Sequence, residues 1–173
     1  MPKSELYVFG SSILWGQGHR PIRKIGVRTA KCIEKRFWEK VRTRGYAHSG
    51  ALLSGDDEQR HVRLHGEVPS PWPSVLAQIR RAPEARTKRV RILIEGGINE
   101  VGGARIASPA TSTSYIESAT KTACHTLMKE VLGELSRKFP RAEIYVLGYY
   151  QILANRADEK EVGGFLEKDG MRS

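Results

Sequence analysis

The sequence has few cysteines, no long apolar run and no leader-like start, and each absence excludes a class of protein. Cys32 and Cys124 are the only cysteines among the 173 residues. They stand far apart, so we expect free thiols rather than a disulfide framework or a zinc site. No apolar run approaches the ~20 residues of a membrane span. The start, MPKSELYVFG, has one lysine and only four apolar residues in a row, unlike a signal peptide. The sequence therefore predicts one cytoplasmic globular domain over residues 1–173.

Acidic residues are scarce relative to basic ones, and the imbalance is local. The chain has 29 Lys and Arg against 19 Asp and Glu, a net charge of +10. Residues Arg20 to Arg44 include ten basic and two acidic side chains, and Arg80 to Arg91 include six and one. Such segments either bind an anionic partner, such as nucleic acid or acidic lipid, or form solvated helix faces. The sequence has no RNA-binding motif with interleaved aromatic residues and no zinc-finger spacing, which favours solvated faces.

Short apolar strands alternate with amphipathic helices along the chain. Leu6–Phe9 and Val90–Ile94 are apolar runs typical of buried strands, and apolar residues three and four positions apart indicate a helix over Ile25–Val41. This alternation favours a parallel sheet covered on both faces, with ligands bound at the carboxyl ends of its strands. The other predicted elements are a strand ending in Tyr46–Ala51, a helix from about Ser74, a long helix from the Ser114–Glu117 capping box to Leu135, a strand at Ala142–Gly148 and a short helix at Asp158–Lys168.

Phosphate-binding and metal-binding motifs are present only in incomplete form. GQGHRP begins like a dinucleotide-binding loop but lacks its third glycine, and GGINEVGG lacks the Gly-Lys-Ser/Thr of a phosphate loop. His61 and His65 are four residues apart, but the carboxylate of a metalloprotease motif is missing. The sequence therefore predicts neither a cofactor nor a metal.

Glycine-bearing stretches after the predicted strands indicate serine chemistry instead. A nucleophilic serine needs an exposed hydroxyl, a base, and hydrogen-bond donors aimed at the developing oxyanion. Glycine lets a backbone N–H approach that oxyanion closely, and an asparagine amide adds a side-chain donor. Ser12, Gly50 and Asn99 each follow a predicted strand, so we expect them to meet at the carboxyl edge of the sheet. The alternative is that Ser12 merely caps the turn that follows it.

The same stretches, in the same order, resemble the sequence blocks of the SGNH hydrolases, the GDSL-type esterases and lipases. VFGSSILWGQG is similar to the first block, HSGA to the second and GGINE to the third. The resemblance implies a flavodoxin-like three-layer α/β/α fold, no cofactor, and a substrate that is a small-molecule, lipid or carbohydrate ester. It implies that Ser12 is the nucleophile and that its N–H, Gly50 and the Asn99 amide form the oxyanion hole.

Three departures from the family pattern bear on activity. Ser11 and Glu100 stand where the family usually has aspartate. The family base belongs to a late Asp-x-x-His, and no such pattern occurs in the 173 residues. We therefore expect the chain to match only the N-terminal part of the family domain and to lack its base. One alternative is an inactive protein of this fold whose basic segments bind an anionic partner. Another is a base within the chain at His48, for which support of a neighbouring loop is the competing role.

Overall fold

The computed structural model describes residues 3–55 and 73–149. Four strands form one parallel sheet in the order β2-β1-β3-β4. This order places the crossovers as in flavodoxin-like folds, and the predicted α/β class with a parallel central sheet is confirmed. The strands are β1 (Ser4–Phe9), β2 (Val41–Gly45), β3 (Val90–Ile94) and β4 (Glu143–Val146). His61, His65 and the helix predicted at Asp158–Lys168 lie outside the described residues.

The two central strands are buried on both faces. Every residue of β1 and β3 is buried, whereas β2 and β4 are partly exposed. Side chains alternate across a strand, so Tyr7 and Phe9 enter one apolar cluster while Leu6 and Val8 enter the other. Two separate clusters, one on each face of the sheet, are what a three-layer architecture requires.

Helices cover both faces of the sheet. On one face, α1 and α2 pack against the smaller cluster, and on the other, α3 and α7 pack against the larger one. Within the described ranges, no helix is long and apolar enough to cross a membrane. The helices are α1 (Ser12–Trp15), α2 (Ile25–Phe37), α3 (Val75–Arg81), α4 (Ile98–Val101), α5 (Gly103–Ala107), α6 (Thr113–Lys121) and α7 (Met128–Lys138), with a 3₁₀ turn at Pro21–Arg23 and a π-helical segment at Thr122–Leu127.

Two predicted helix boundaries are wrong, and β2 ends at Gly45, before the Tyr46–Ala51 stretch predicted to end the second strand. Helix α2 ends at Phe37, because Trp38 adopts a left-handed conformation (φ 52°) that stops it. Val41 fits the helical spacing but pairs with Ser4 as the first residue of β2. Helix α6 begins one residue earlier than its predicted cap, since the Ser112 hydroxyl, and not that of Ser114, accepts the Tyr115 N–H (3.3 Å).

Candidate active site

Ser12 lies directly after β1, at the carboxyl edge of the sheet. It is the first residue of α1, a single helical turn closed by hydrogen bonds from Trp15 N–H to Ser11 and from Gly16 N–H to Ser12 (both 2.9 Å). The side chain of Ser12 is half-buried. None of the residues that the structure describes forms a hydrogen bond with the Ser12 hydroxyl. The serine is therefore placed in an edge turn of the kind that holds ligands in parallel sheets.

A buried carboxylate, Glu95, lies beneath this turn. Glu95 directly follows β3 and is 1% exposed. It accepts hydrogen bonds from the Ser11 N–H (2.6 Å), from the Ser11 hydroxyl (2.9 and 3.1 Å to its two oxygens) and, more weakly, from the Leu14 N–H (3.4 Å). A Cβ at Gly10 would lie 2.8 Å from the Glu95 carbonyl oxygen and 2.9 Å from its Oε1, so this contact requires glycine at that position.

Tyr149 holds the second oxygen of the same carboxylate. Its hydroxyl donates to Glu95 Oε2 (2.9 Å) and accepts the Ile98 N–H (3.3 Å). Burial, together with the negative charge of Glu95, raises the pKa of Tyr149 well above its ordinary value. The phenol therefore stays protonated and donating at neutral pH. One carboxylate thus joins segments that follow β1, β3 and β4.

Gln78 fixes the backbone immediately before the turn. Its side-chain amide, on α3 and 2% exposed, accepts the Gly10 N–H (2.9 Å) and donates to the Gly10 carbonyl (3.0 Å) and the Pro73 carbonyl (3.2 Å). Buried backbone groups need partners, and the Gln78 amide supplies them for the N–H and the carbonyl of Gly10, which lies beyond the last residue of β1.

The loop after β2 is tied to the same turn through His48. The His48 N–H donates to the Gly10 carbonyl (2.9 Å), and the His48 ring lies 5.1 Å from the Trp15 ring. His48 Nδ1 lies 2.9 Å from the Ser49 carbonyl, and since a carbonyl only accepts, Nδ1 holds the proton. These contacts tie the loop after β2 to the turn that carries Ser12. Gly50 follows with a φ of 80°, a conformation that favours glycine.

Asn99 lies on α4 and bonds to this loop from the other side. Its amide donates to the Ala51 carbonyl (2.8 Å), which leaves one of its two N–H groups for another acceptor. The neighbouring Glu100 carboxylate accepts the Leu53 N–H. The structure therefore brings the segments of Ser12, Gly50 and Asn99 to one edge of the sheet. It shows no direct hydrogen bond among those three described residues, and their joint action as an oxyanion hole stays a prediction.

The sequence interpretation missed the residues that hold the turn. Glu95 had a visible signal, because a charged residue interrupts the apolar run VRILIEGG at the end of a predicted central strand. Tyr149 and Gln78 had none, since each bonds to residues more than fifty positions away.

Across 3–55 and 73–149, no group of three His, Cys, Asp or Glu side chains could hold a metal ion. Cys32 and Cys124 are both free and exposed.

A solved lipase structure shares this fold. The extracellular lipase of Streptomyces rimosus is 18% identical, with 93% of this chain and 68% of that one covered at a TM-score of 0.50. Phospholipase A1 of Streptomyces albidoflavus NA297 is 16% identical, with 99% and 72% covered at a TM-score of 0.47. No protein-family model and no curated protein matches the chain. At such identities the likeness to the S. rimosus lipase shows the α/β fold and nothing finer.

Proposed function

We propose that this chain is an SGNH-type serine hydrolase acting on carboxylic esters, with Ser12 as the nucleophile. The observation that supports it most strongly is the edge turn. Ser12 starts a one-turn helix at the carboxyl end of β1, and hydrogen bonds from both neighbouring strand-end segments hold the residues around it. The resemblance of three sequence blocks and the shared fold of a lipase agree with this assignment.

The proposed reaction is acyl transfer through the serine. The Ser12 Oγ attacks the ester carbonyl carbon, its proton passes to a base, and the carbonyl oxygen becomes an oxyanion. The N–H groups of Ser12 and Gly50 and the free N–H of the Asn99 amide are the proposed donors to that oxyanion. When the tetrahedral intermediate collapses, the alcohol leaves with a proton and an acyl-serine remains. Water then attacks the acyl-serine and releases the acid.

We expect the base to be the component that these residues lack. No Asp-x-x-His occurs in the sequence, and no described side chain is hydrogen-bonded to the Ser12 hydroxyl. A serine hydroxyl without a base is a poor nucleophile at neutral pH, since almost none of it is ionised. We therefore expect slow turnover that depends on the oxyanion donors alone.

An inactive protein that binds an anionic partner is the weaker alternative. Three arginines of the basic segments are already paired with carboxylates: Arg44 with Glu5, and Arg89 and Arg91 with Glu39. These pairs neutralise part of the charge on which that alternative depends.

Hydrolysis of p-nitrophenyl acetate tests the proposed function. We expect very slow nitrophenol release that Ser12→Ala removes and that the matched control Ser114→Ala, at an exposed serine of α6, leaves unchanged. Fusion of a C-terminal segment bearing Asp-x-x-His should raise the rate by about 10²–10⁴, the usual contribution of a general base. Turnover that is equal in Ser12→Ala, with or without the fused segment, would contradict the proposal.

A further inference from the structure

Glu95 is a buried carboxylate that the proposed reaction does not use. It hydrogen-bonds to Ser11, Leu14 and Tyr149, and every one of these donors is uncharged. Its bonds go to residues on both sides of Ser12 and not to Ser12 itself. An ionised group buried this deeply is costly unless its hydrogen bonds are well made. Its place in the fold therefore calls for a role.

We propose that Glu95 is the positioning residue of the Ser12 turn, an inference that rests on the proposed function for its catalytic meaning. Helix α1 has only four residues, and a single turn is unstable alone because nucleation costs more than one hydrogen bond returns. The Glu95 carboxylate accepts the N–H groups of Ser11 and Leu14, which lie at the start of that turn without intrahelical partners. The carboxylate thereby sets the backbone of Ser12 and the direction of its hydroxyl and N–H.

The residue at position 11 is matched to this carboxylate. The Ser11 hydroxyl lies 2.9 and 3.1 Å from the two Glu95 oxygens, where it donates. An aspartate at the same position, as the resembling blocks usually have, would bring a second negative charge to within about 3 Å, where like charges cannot both stay ionised. In this chain the carboxylate beneath the turn is therefore Glu95, directly after β3, and the turn itself carries the hydroxyl of Ser11.

This pairing predicts a reciprocal result. Glu95→Gln keeps the side-chain shape but loses the charge, and it turns one acceptor into a donor facing Ser11 and Tyr149. Ser11→Asp alone sets two carboxylates against each other. The double variant Ser11→Asp/Glu95→Gln again has one carboxylate and one donor, with the carboxylate now at position 11 and the donor at position 95. It should therefore recover the amide protection and the labelling rate that each single variant loses.

Two measurements on the full chain test the proposal. The first is amide hydrogen exchange by NMR at residue 11 and Leu14. The second is the rate of Ser12 phosphonylation by a fluorophosphonate, resolved into its maximal rate constant and its half-saturating concentration. We expect Glu95→Gln to lower the protection of both amides, because a neutral amide oxygen accepts more weakly than a carboxylate. It should also lower the maximal rate about tenfold, with the half-saturating concentration unchanged. Ser11→Asp should show a similar loss, and the double variant should come back to within about threefold of the wild type. The control Glu117→Gln, at an exposed position of α6, should change neither measurement.

The outcomes separate this proposal from the proposed function. If the wild type is not labelled at Ser12, the hydrolase assignment fails, and amide exchange alone decides the role of Glu95. Unchanged amide protection in Glu95→Gln, or a double variant no better than Ser11→Asp, would overturn the positioning role. If Glu95→Gln does not fold, Ser11→Ala removes only the hydroxyl donor. It should then lower the maximal rate about threefold, and an unchanged rate would overturn the proposal.

Discussion

At the amino edge of the sheet, Glu39 lies between two arginine side chains, whereas at the carboxyl edge Glu95 is held only by uncharged donors. Glu39 accepts from Arg89 (2.6 Å), Arg91 (2.7 Å) and the Ser4 hydroxyl (2.9 Å). Glu95 accepts from hydroxyls and backbone N–H groups. Both carboxylates are almost fully buried, so burial alone does not explain how each is satisfied.

The two carboxylates have different roles: Glu39 connects strands, and Glu95 positions the Ser12 turn. Arg89 and Arg91 neutralise Glu39 and join the loop before β2 to the start of β3, and the Ser4 hydroxyl joins it to the start of β1. Neutral donors leave the Glu95 charge in place, and their fixed directions orient the residues that make the bonds. Glu39 thus connects strands at the amino edge, while Glu95 orients the Ser12 turn at the carboxyl edge.

The largest expected effect is on stability at the amino edge. Glu39→Gln leaves the Arg91 guanidinium, whose side chain is 8% exposed, without its buried partner. Removing one member of a buried ion pair typically destabilises by about 3 kcal/mol. We expect a loss of this size in the free energy of unfolding by urea. Glu134→Ala, which breaks a pair with the exposed Arg137, is the control and should cost under about 1 kcal/mol. Equal losses of unfolding free energy in the two variants would show that the buried Glu39 pair stabilises the fold no more than the surface pair does.

A smaller effect is expected on the acid dependence of stability. Burial alone would raise the pKa of Glu39, but hydrogen bonds from Arg91, Arg89 and Ser4 outweigh it and hold the pKa below the ordinary 4.5. The pKa of Glu5 is also lowered, since the Arg44 side chain and the Arg86 N–H outweigh its burial. A carboxyl with a lowered folded pKa stabilises fully above its unfolded pKa and loses that contribution as pH falls through the folded value.

Urea unfolding at a series of pH values below 5 measures this dependence. The wild type should lose stability as pH falls below about 4.5, and Glu39→Gln should lose less because one of the two linked groups is gone. Parallel curves for the two proteins would show that Glu39 is not linked to folding in this way.

The smallest expected effect is on binding to anions. Because Arg44, Arg89 and Arg91 are paired within the fold, we expect no binding of DNA, RNA or anionic vesicles at physiological salt. Filter binding and vesicle sedimentation at two salt concentrations check this expectation. Tight binding that falls steeply with salt would favour the alternative function.

The two central strands of the sheet were predictable from the sequence, but the side chains that hold the Ser12 turn were not. Leu6–Phe9 is a continuous apolar run and Val90–Ile94 is apolar except at Arg91, a pattern typical of strands buried on both faces. The edge strand Val41–Gly45 reads VRTRG, and its polar residues give no strand pattern. The sequence therefore placed the end of this strand too late, at Tyr46–Ala51, and Val41 in the preceding helix. Glu95 meets Ser11 across 84 positions of sequence and Tyr149 across 54. Local sequence patterns do not predict such pairs, because only the parallel topology brings the strand ends together.

Mass spectrometry after reaction with p-nitrophenyl acetate shows which side chain is the nucleophile. A site that can form an acyl-serine but lacks a base is also slow to deacylate, so the acetyl group should remain on the nucleophile. We expect acetylation of the peptide that contains Ser12 in the wild type and in Ser114→Ala, and no acetylation of that peptide in Ser12→Ala. Acetylation confined to other peptides, with Ser12 unmodified, would show that Ser12 is not the nucleophile.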